Sequence, residues 1–311
     1  MTHFLAIADL TPTELNRYLA VAKKLKAEWR KGGNKPILRN KTLGMIFQKP
    51  SLRTRVSFDI AMLHLGGHAL YLSPNEIGLG QRESIADVSR VLSRYVDGIM
   101  ARVFAHAHVV ELAQYASVPV INGLSDHEHP CQALADVFTI VEHLGRLKGL
   151  KVAFFGDGNN VARSLMYACA LGGARFVCAS PRGYALDEAS VGLARSMGGE
   201  MTLTEDPQAA ARDADVLYTD VWASMGQEGQ TAARAAIFPP YQLNQALVAL
   251  SKPKSIVMHC LPTHRGAEIT DEVADGPHSV LFDQAENRMH AQKAVLAILM
   301  EGKKSKAKSK K

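Results

Sequence analysis

Lys151-Val152-Ala153-Phe154-Phe155-Gly156-Asp157-Gly158-Asn159-Asn160 decides the fold. Val152–Phe155 is a continuous apolar run, too short for a helix and bounded by a Gly-Asp-Gly turn. The apolar stretch from Val161 to Leu171 follows at once. A fully apolar strand, a glycine turn and a helix in that order make the repeating unit of a parallel sheet covered on both faces. The pattern continues outward in both directions. Candidate strands are Thr42–Phe47, Gly98–Val103, Val118–Ile121, Lys151–Phe155, Arg175–Ala179, Glu200–Thr204, Val216–Thr219, Ser255–Met258 and Ser279–Phe282. Between them lie stretches of helical spacing, such as Ile85, Val88, Leu92, Tyr95 and Leu134, Val137, Val141, Leu144. Gly66-Gly67 and Gly172-Gly173 fall where helices should stop.

The turn itself is an incomplete dinucleotide fingerprint. Gly156 and Gly158 fit Gly-x-Gly, but Val161 occupies the third glycine position. The next strand, Phe176-Val177-Cys178-Ala179-Ser180, ends without the acidic residue that would bind a ribose. A nicotinamide cofactor is therefore not expected, and Asn159 and Asn160 suit a carboxylate or amide ligand better than a pyrophosphate.

Four further segments follow candidate strands directly: Ser51-Leu52-Arg53-Thr54-Arg55, His129-Pro130-Cys131-Gln132, Asp220 through Ser224-Met225-Gly226, and His259-Cys260-Leu261-Pro262. In open α/β sheets ligands bind beyond the carboxyl ends of strands. Arg, His, Asn, Asp and Cys clustered at five such places point to one cleft between two sheets. Ser51–Arg55 opens a helix whose apolar face is read as Val56, Ile60 and Leu63. Its free N–H groups, hydroxyls and two arginines suit a phosphate, although a capped helix with surface arginines has the same appearance. Cys260 reads either as a buried structural thiol or as a reactive one influenced by His259.

Composition narrows the function classes. Apolar content is 47% and charged content 21% over 311 residues, which is globular and long enough for about two domains. No stretch approaches the roughly 18 apolar residues of a membrane span. The N-terminus lacks the basic region of a signal peptide, so a cytoplasmic location is expected. The net charge of +6 comes from the end of the chain: Lys303–Lys311 holds six Lys, and without them basic and acidic residues balance at 30 each. A disordered, solvated tail is expected there, with no nucleic-acid partner. The four cysteines form no Cys-x-x-Cys pair, and Leu134 breaks the zinc-deaminase spacing after Cys131, so no metal site is expected.

Taken together and in order, from Phe4 to Met300, these segments resemble the ornithine carbamoyltransferases. The Ser-x-Arg-Thr-Arg and His-Pro-x-Gln segments are similar to those of carbamoyltransferases generally. Asp220…Ser224-Met225-Gly226 and His259-Cys260-Leu261-Pro262 are similar to the ornithine branch. The resemblance implies an α/β chain of two domains, each a largely parallel sheet flanked by helices. Residues 1–146 would bind carbamoyl phosphate and 147–284 L-ornithine; residues 285–302 would form a C-terminal helix crossing back to the first domain. Ser51, Leu52 (through its backbone), Arg53, Thr54 and Arg102 would hold the phosphate. His129, Gln132, Arg288 and the Cys260-Leu261 backbone would surround the carbamoyl group. Asn160, Asp220, Ser224 and Met225 would meet ornithine, with Cys260, helped by Asp220, orienting the amine and accepting its proton. Catalysis would fall to Cys260, Asp220, Arg102 and His129, with no metal or organic cofactor, in a homotrimer with sites near subunit interfaces.

Two positions depart from the family pattern. Leu52 stands where Thr is common, and Gly78 where Gln or His is thought to reach carbamoyl phosphate from a neighbouring subunit. Gln81 or Arg82 would be the substitutes. The glycines of 222–230 suggest a segment that closes over bound ligands. A putrescine acceptor would leave Asp220, Ser224 and Asn160 without an α-amino-acid head group to bind. An aspartate acceptor would call for cations in place of Asp220 and Cys260. A catalytically silent paralogue should have lost some of Arg53, His129, Asp220 and Cys260, and all are present.

Overall fold

The computed structural model describes residues 2–223 and 228–301. Among the described residues, nine strands form two all-parallel sheets. The first contains β1 (Thr42–Phe47), β2 (His68–Leu72), β3 (Gly98–Arg102) and β4 (Val120–Leu124) in the order β2-β1-β3-β4. The second contains β5 (Lys151–Phe155), β6 (Arg175–Ala179), β7 (Glu200–Thr204), β8 (Val216–Thr219) and β9 (Ile256–His259) in the order β7-β6-β5-β8-β9. Strand order reverses between β1 and β3 in one sheet and between β5 and β8 in the other, and such switch points open a crevice at the carboxyl ends of the strands.

The α/β class holds, and five of the expected strands have the bounds read from sequence. Two expectations need correcting. Ser279–Phe282 is not a strand: Ser279 makes one isolated bridge to Val257, after which the chain turns into the helix Leu281–Met300. Burial of Leu281, at 2% exposure, fits the helix start as well as it would fit a strand. On the helix Leu52–His64, the inward face is Thr54, Phe58, Ala61 and Met62, while Val56 and Leu63 point outward with Leu52. The helix is apolar on two sides, so spacing alone selected the wrong one. The edge strand β2 was not anticipated; it is short and half exposed.

One continuous core joins the two halves. Phe47, Phe58 and Met100 from the first sheet's side share it with Phe154, Leu165 and Tyr218 from the second. The helix Leu281–Met300 leaves the β9 end of the second sheet and packs on helices Pro12–Arg30, Leu52–His64 and Pro130–Leu144. It is buried nearly along its whole length, polar positions Gln284, Asn287 and Arg288 included. No helix among the described residues is long and apolar enough to cross a membrane.

Candidate active site

A cleft of about 780 Å³ lies between the sheets, lined by the segments after β1, β3, β4, β5, β8 and β9. Its cationic end is built around Thr54. Ser51 caps the helix, its Oγ accepting from Thr54 N and donating to Thr54 Oγ1 at 3.2 Å. Arg102, the last residue of β3, and Arg288, from the C-terminal helix, each donate to the same Thr54 Oγ1 at 3.4 Å. Arg53 lines the cleft beside them. Burial and then the neighbouring Arg288 and Arg53 pull Arg102 down to about 10, so at neutral pH it remains a cation among cations. That concentration of positive charge at a helix N-terminus calls for an anion.

His129 sits at the first turn of helix Pro130–Leu144, where its backbone N–H donates to Ser164 Oγ at 2.8 Å. Burial first, then Arg288, Arg102 and Arg53, push its pKa well below the usual histidine value, so the imidazole is neutral. His129 Nδ1 and Arg288 Nε are buried with no hydrogen-bond partner among the described residues. Gln132 Oε1 accepts from Arg288 Nη1. Unpartnered buried polar atoms beside a cluster of arginines are what a polar ligand would satisfy.

The opposite wall is anionic. Asp220 follows β8 directly, and its carboxyl group accepts from the Cys260 thiol at 2.9 Å, from Asn159 Nδ2 at 2.8 Å and from its neighbour Val221 N at 2.8 Å. Burial, the Asp220 charge and the hydrogen bond to it push Cys260 well above the ordinary thiol value. Cys260 is therefore a neutral thiol that donates to the Asp220 carboxyl group. Asn159 also caps helix Asn160–Gly172, its Oδ1 accepting from Val161 N and Ala162 N, while Asn160 Nδ2 reaches across to Ser125 O at 2.6 Å. Leu261, at φ 61°, turns its N–H back to His259 Nδ1, and His259 Nε2 faces Glu268 Oε1 at 3.2 Å. Donor atoms of Asp220, His259 and Cys260 lie within 4.8 Å of one another, close enough to gather a cation. Each of them is already engaged by hydrogen bonds within the protein.

Ser51, Arg53, Thr54, Arg102, His129, Gln132, Asn160, Asp220, Cys260, Leu261 and Arg288 all line this one cleft. Leu52 is not among the lining residues, and its side chain is 76% exposed. Ser224 and Met225 lie outside the described residues, as do Gly226 and Gln227 of the 222–230 segment expected to close over ligands. Sequence reading missed Lys49 and Arg163 in the lining and the partnership of Asn159 with Asp220. The signal for Asn159 was available, since an Asn before an apolar helical run is a capping residue. The glycines of the β5 turn have a structural cause: a Cβ on Gly158 would collide with the backbone of Ala185 and Leu186. Gly78 ends the short helix Pro74–Ile77 at φ 48°, a left-handed conformation that favours glycine over Gln or His.

Comparison with known proteins bears on this geometry directly. The carbamoyl-P binding domain model of the aspartate/ornithine carbamoyltransferases matches residues 2–142, and their Asp/Orn binding domain model matches residues 148–299. The chain belongs to the aspartate/ornithine carbamoyltransferase family. Within the family it is 58% identical over 307 residues to the ornithine carbamoyltransferase of Pyrococcus abyssi, covering 97% of this chain and 96% of that protein. It is 57% identical to the anabolic ornithine carbamoyltransferase of Pyrococcus furiosus, over 96% of each chain. The solved structure of the ornithine carbamoyltransferase from Pyrococcus furiosus superposes with a TM-score of 0.94 at 56% identity, covering 97% of this chain and 98% of that one. The corresponding Thermus thermophilus structure gives 0.88 at 45% identity, covering 96% and 99%.

Proposed function

We propose that this chain transfers the carbamoyl group of carbamoyl phosphate to the side-chain amine of L-ornithine, giving L-citrulline and phosphate, in the biosynthetic direction. The observation that carries the proposal is the polarity of the cleft: arginines around Thr54 at one end, and Asp220 with Cys260 and Asn159 at the other. A dianionic acyl phosphate belongs at the first and an amine at the second.

In this reading Ser51, Arg53, Thr54, Arg102 and the helix N–H groups, that of Leu52 among them, hold the phosphate. The neutral His129, with Arg102, Arg288, Gln132 and the Cys260-Leu261 backbone, surrounds the carbamoyl oxygen, where negative charge builds as the amine attacks. Ornithine's side-chain amine resembles that of Lys, with an unperturbed pKa of about 10.4, and must lose a proton to become a nucleophile. Asp220 accepts hydrogen bonds from the ammonium group and takes that proton, while Cys260 holds the carboxyl group in orientation. The nitrogen lone pair forms the new C–N bond, and the C–O bond to phosphate breaks with its electron pair going to the leaving phosphate. Asn160, Ser224 and Met225 complete the ornithine contacts.

The same proposal places the seam between the carbamoyl phosphate and ornithine halves near residue 146 and the protein in the cytoplasm as a homotrimer. The outward apolar side chains of Leu52, Val56 and Leu63 support burial against another copy. Phosphate release from carbamoyl phosphate with ornithine, putrescine and aspartate as parallel acceptors, with citrulline measured for ornithine, tests the reaction. Turnover with ornithine alone is expected, and turnover confined to putrescine or aspartate would overturn the choice of acceptor.

A further inference from the structure

Asp136 lies on the Pro130–Leu144 helix one turn beyond Gln132, fully buried, away from the cleft lining. Three donors converge on its carboxyl group. Gln132 Nε2 and Gln284 Nε2 both reach Oδ1 at 2.7 Å, and Tyr218 OH reaches Oδ2 at 3.1 Å. Gln284 Nε2 also donates to Tyr218 OH at 3.1 Å. The far ends of the two glutamines point elsewhere. Gln132 Oε1 accepts from Arg288 Nη1, and Gln284 Oε1 accepts from His259 N at 2.9 Å. Gln132, Tyr218, His259 and Gln284 are each no more than 1% exposed, so water does not share these bonds.

All three groups around the Asp136 carboxyl meet it as donors, so it acts as an acceptor toward each of them. Each glutamine must therefore turn its NH2 toward Asp136 and its carbonyl away from it. A reversed Gln132 would set an NH2 against the Arg288 guanidinium, and a reversed Gln284 would set one against a backbone N–H. Both would leave buried donors facing donors, which costs more than the bonds themselves contribute. We propose that Asp136 is a positioning residue, whose carboxyl group fixes the polarity of two glutamine amides and so holds Arg288 on one side and the His259–Cys260 strand end on the other. It joins helix Pro130–Leu144, β8 and helix Leu281–Met300 at one point, tying the phosphate-side arginine to the thiol-bearing strand. The assignment rests on the carbamoyl transfer proposed above.

Three variants separate this role from a merely structural one, each measured for calorimetric binding of carbamoyl phosphate, steady-state citrulline formation with varied ornithine, and thermal midpoint. Asp136→Leu removes the acceptor, and carbamoyl phosphate binding is expected to weaken about ten-fold or more. Asp136→Asn keeps Oδ1 for both glutamines and costs only the Tyr218 bond, whose O–H loses its acceptor, so carbamoyl phosphate binding is expected to weaken less than in Asp136→Leu. Gln284→Met cuts the link to His259 together with Gln284's own bonds to Asp136 and Tyr218, but leaves the Asp136–Gln132–Arg288 arm in place; carbamoyl phosphate binding should stay within about two-fold while kcat/KM for ornithine falls about ten-fold. Wild-type binding by a folded Asp136→Leu protein would overturn the proposal. So would equal losses toward both substrates in Gln284→Met, and that split decides the matter if Asp136→Leu does not fold. Absence of citrulline from the wild-type protein would instead overturn the functional reading, whereas the ranking of carbamoyl phosphate affinities tests Asp136 by itself.

Discussion

At the scale of single residues, charge and burial divide the labour in the cleft. Arg53 lines it without being fully enclosed, so its removal should leave packing intact. Arg53→Ala is expected to raise the KM for carbamoyl phosphate by about ten-fold to a hundred-fold, the loss of a charge-assisted contact, with the thermal midpoint unchanged. An unchanged KM in steady-state assays would return Arg53 to the surface. Asp220→Asn removes the anion that Cys260 and Asn159 address. A fall in kcat of about a hundred-fold is expected, within the usual range for a proton acceptor, while carbamoyl phosphate still binds. Much of this cast was legible in the sequence, because Arg102 and Asp220 stand at strand ends and Arg53 and His129 open the helices that follow strands, where a ligand must lie. The hydrogen bonds among Asp136, Gln284 and Tyr218 were not, since residues 82 and 148 positions apart come together only through the fold.

Among elements, the fully apolar strands were readable and the ambiguous ones were not. Val152–Phe155 and Val216–Thr219 are buried on both faces and carry no competing helical pattern. The exposed edge strand β2 and the turn at Ser279 are settled by neighbours instead of by local pattern. The start of the helix at His129 depends on a distant partner too. Glu128, fully buried, accepts from Ile7 N at 2.8 Å, Ala8 N at 3.4 Å and Ser164 Oγ at 2.9 Å, and Ser164 in turn receives the His129 N–H. Burial pushes Glu128 up to about 7, against the pull of those donors. A carboxyl group whose folded value exceeds its unfolded one binds more protons when folded, so its contribution to stability is greatest in acid and is lost as pH rises toward 7. Glu128→Gln should therefore gain on the wild type between about pH 4.5 and 7 and hold a constant difference above that window. Urea unfolding of both proteins across pH 4.5–8 checks this, and a difference that runs the other way would mean the carboxyl group is ionised throughout.

Across the whole molecule, the charge balance predicts that the basic end contributes little to the reaction. Deleting Lys303–Lys311 removes the entire net charge of +6 and is expected to leave kcat, KM and the sedimentation coefficient per subunit unchanged within error. A large loss of activity would mean that these lysines act on the folded body. The Leu281–Met300 helix just before them is a different matter. It carries Arg288 back to Thr54, so the phosphate end of the cleft is assembled from residue 54, residue 102 and residue 288. In the cell this has a consequence for timing. A growing polypeptide can fold its first sheet while still attached to the ribosome, but the site stays incomplete until the helix that carries Arg288 has emerged. A product released early by a premature stop codon before that helix would keep most of the protein's mass and still lack Arg288 at its phosphate site, so synthesis must pass that helix before the first turnover.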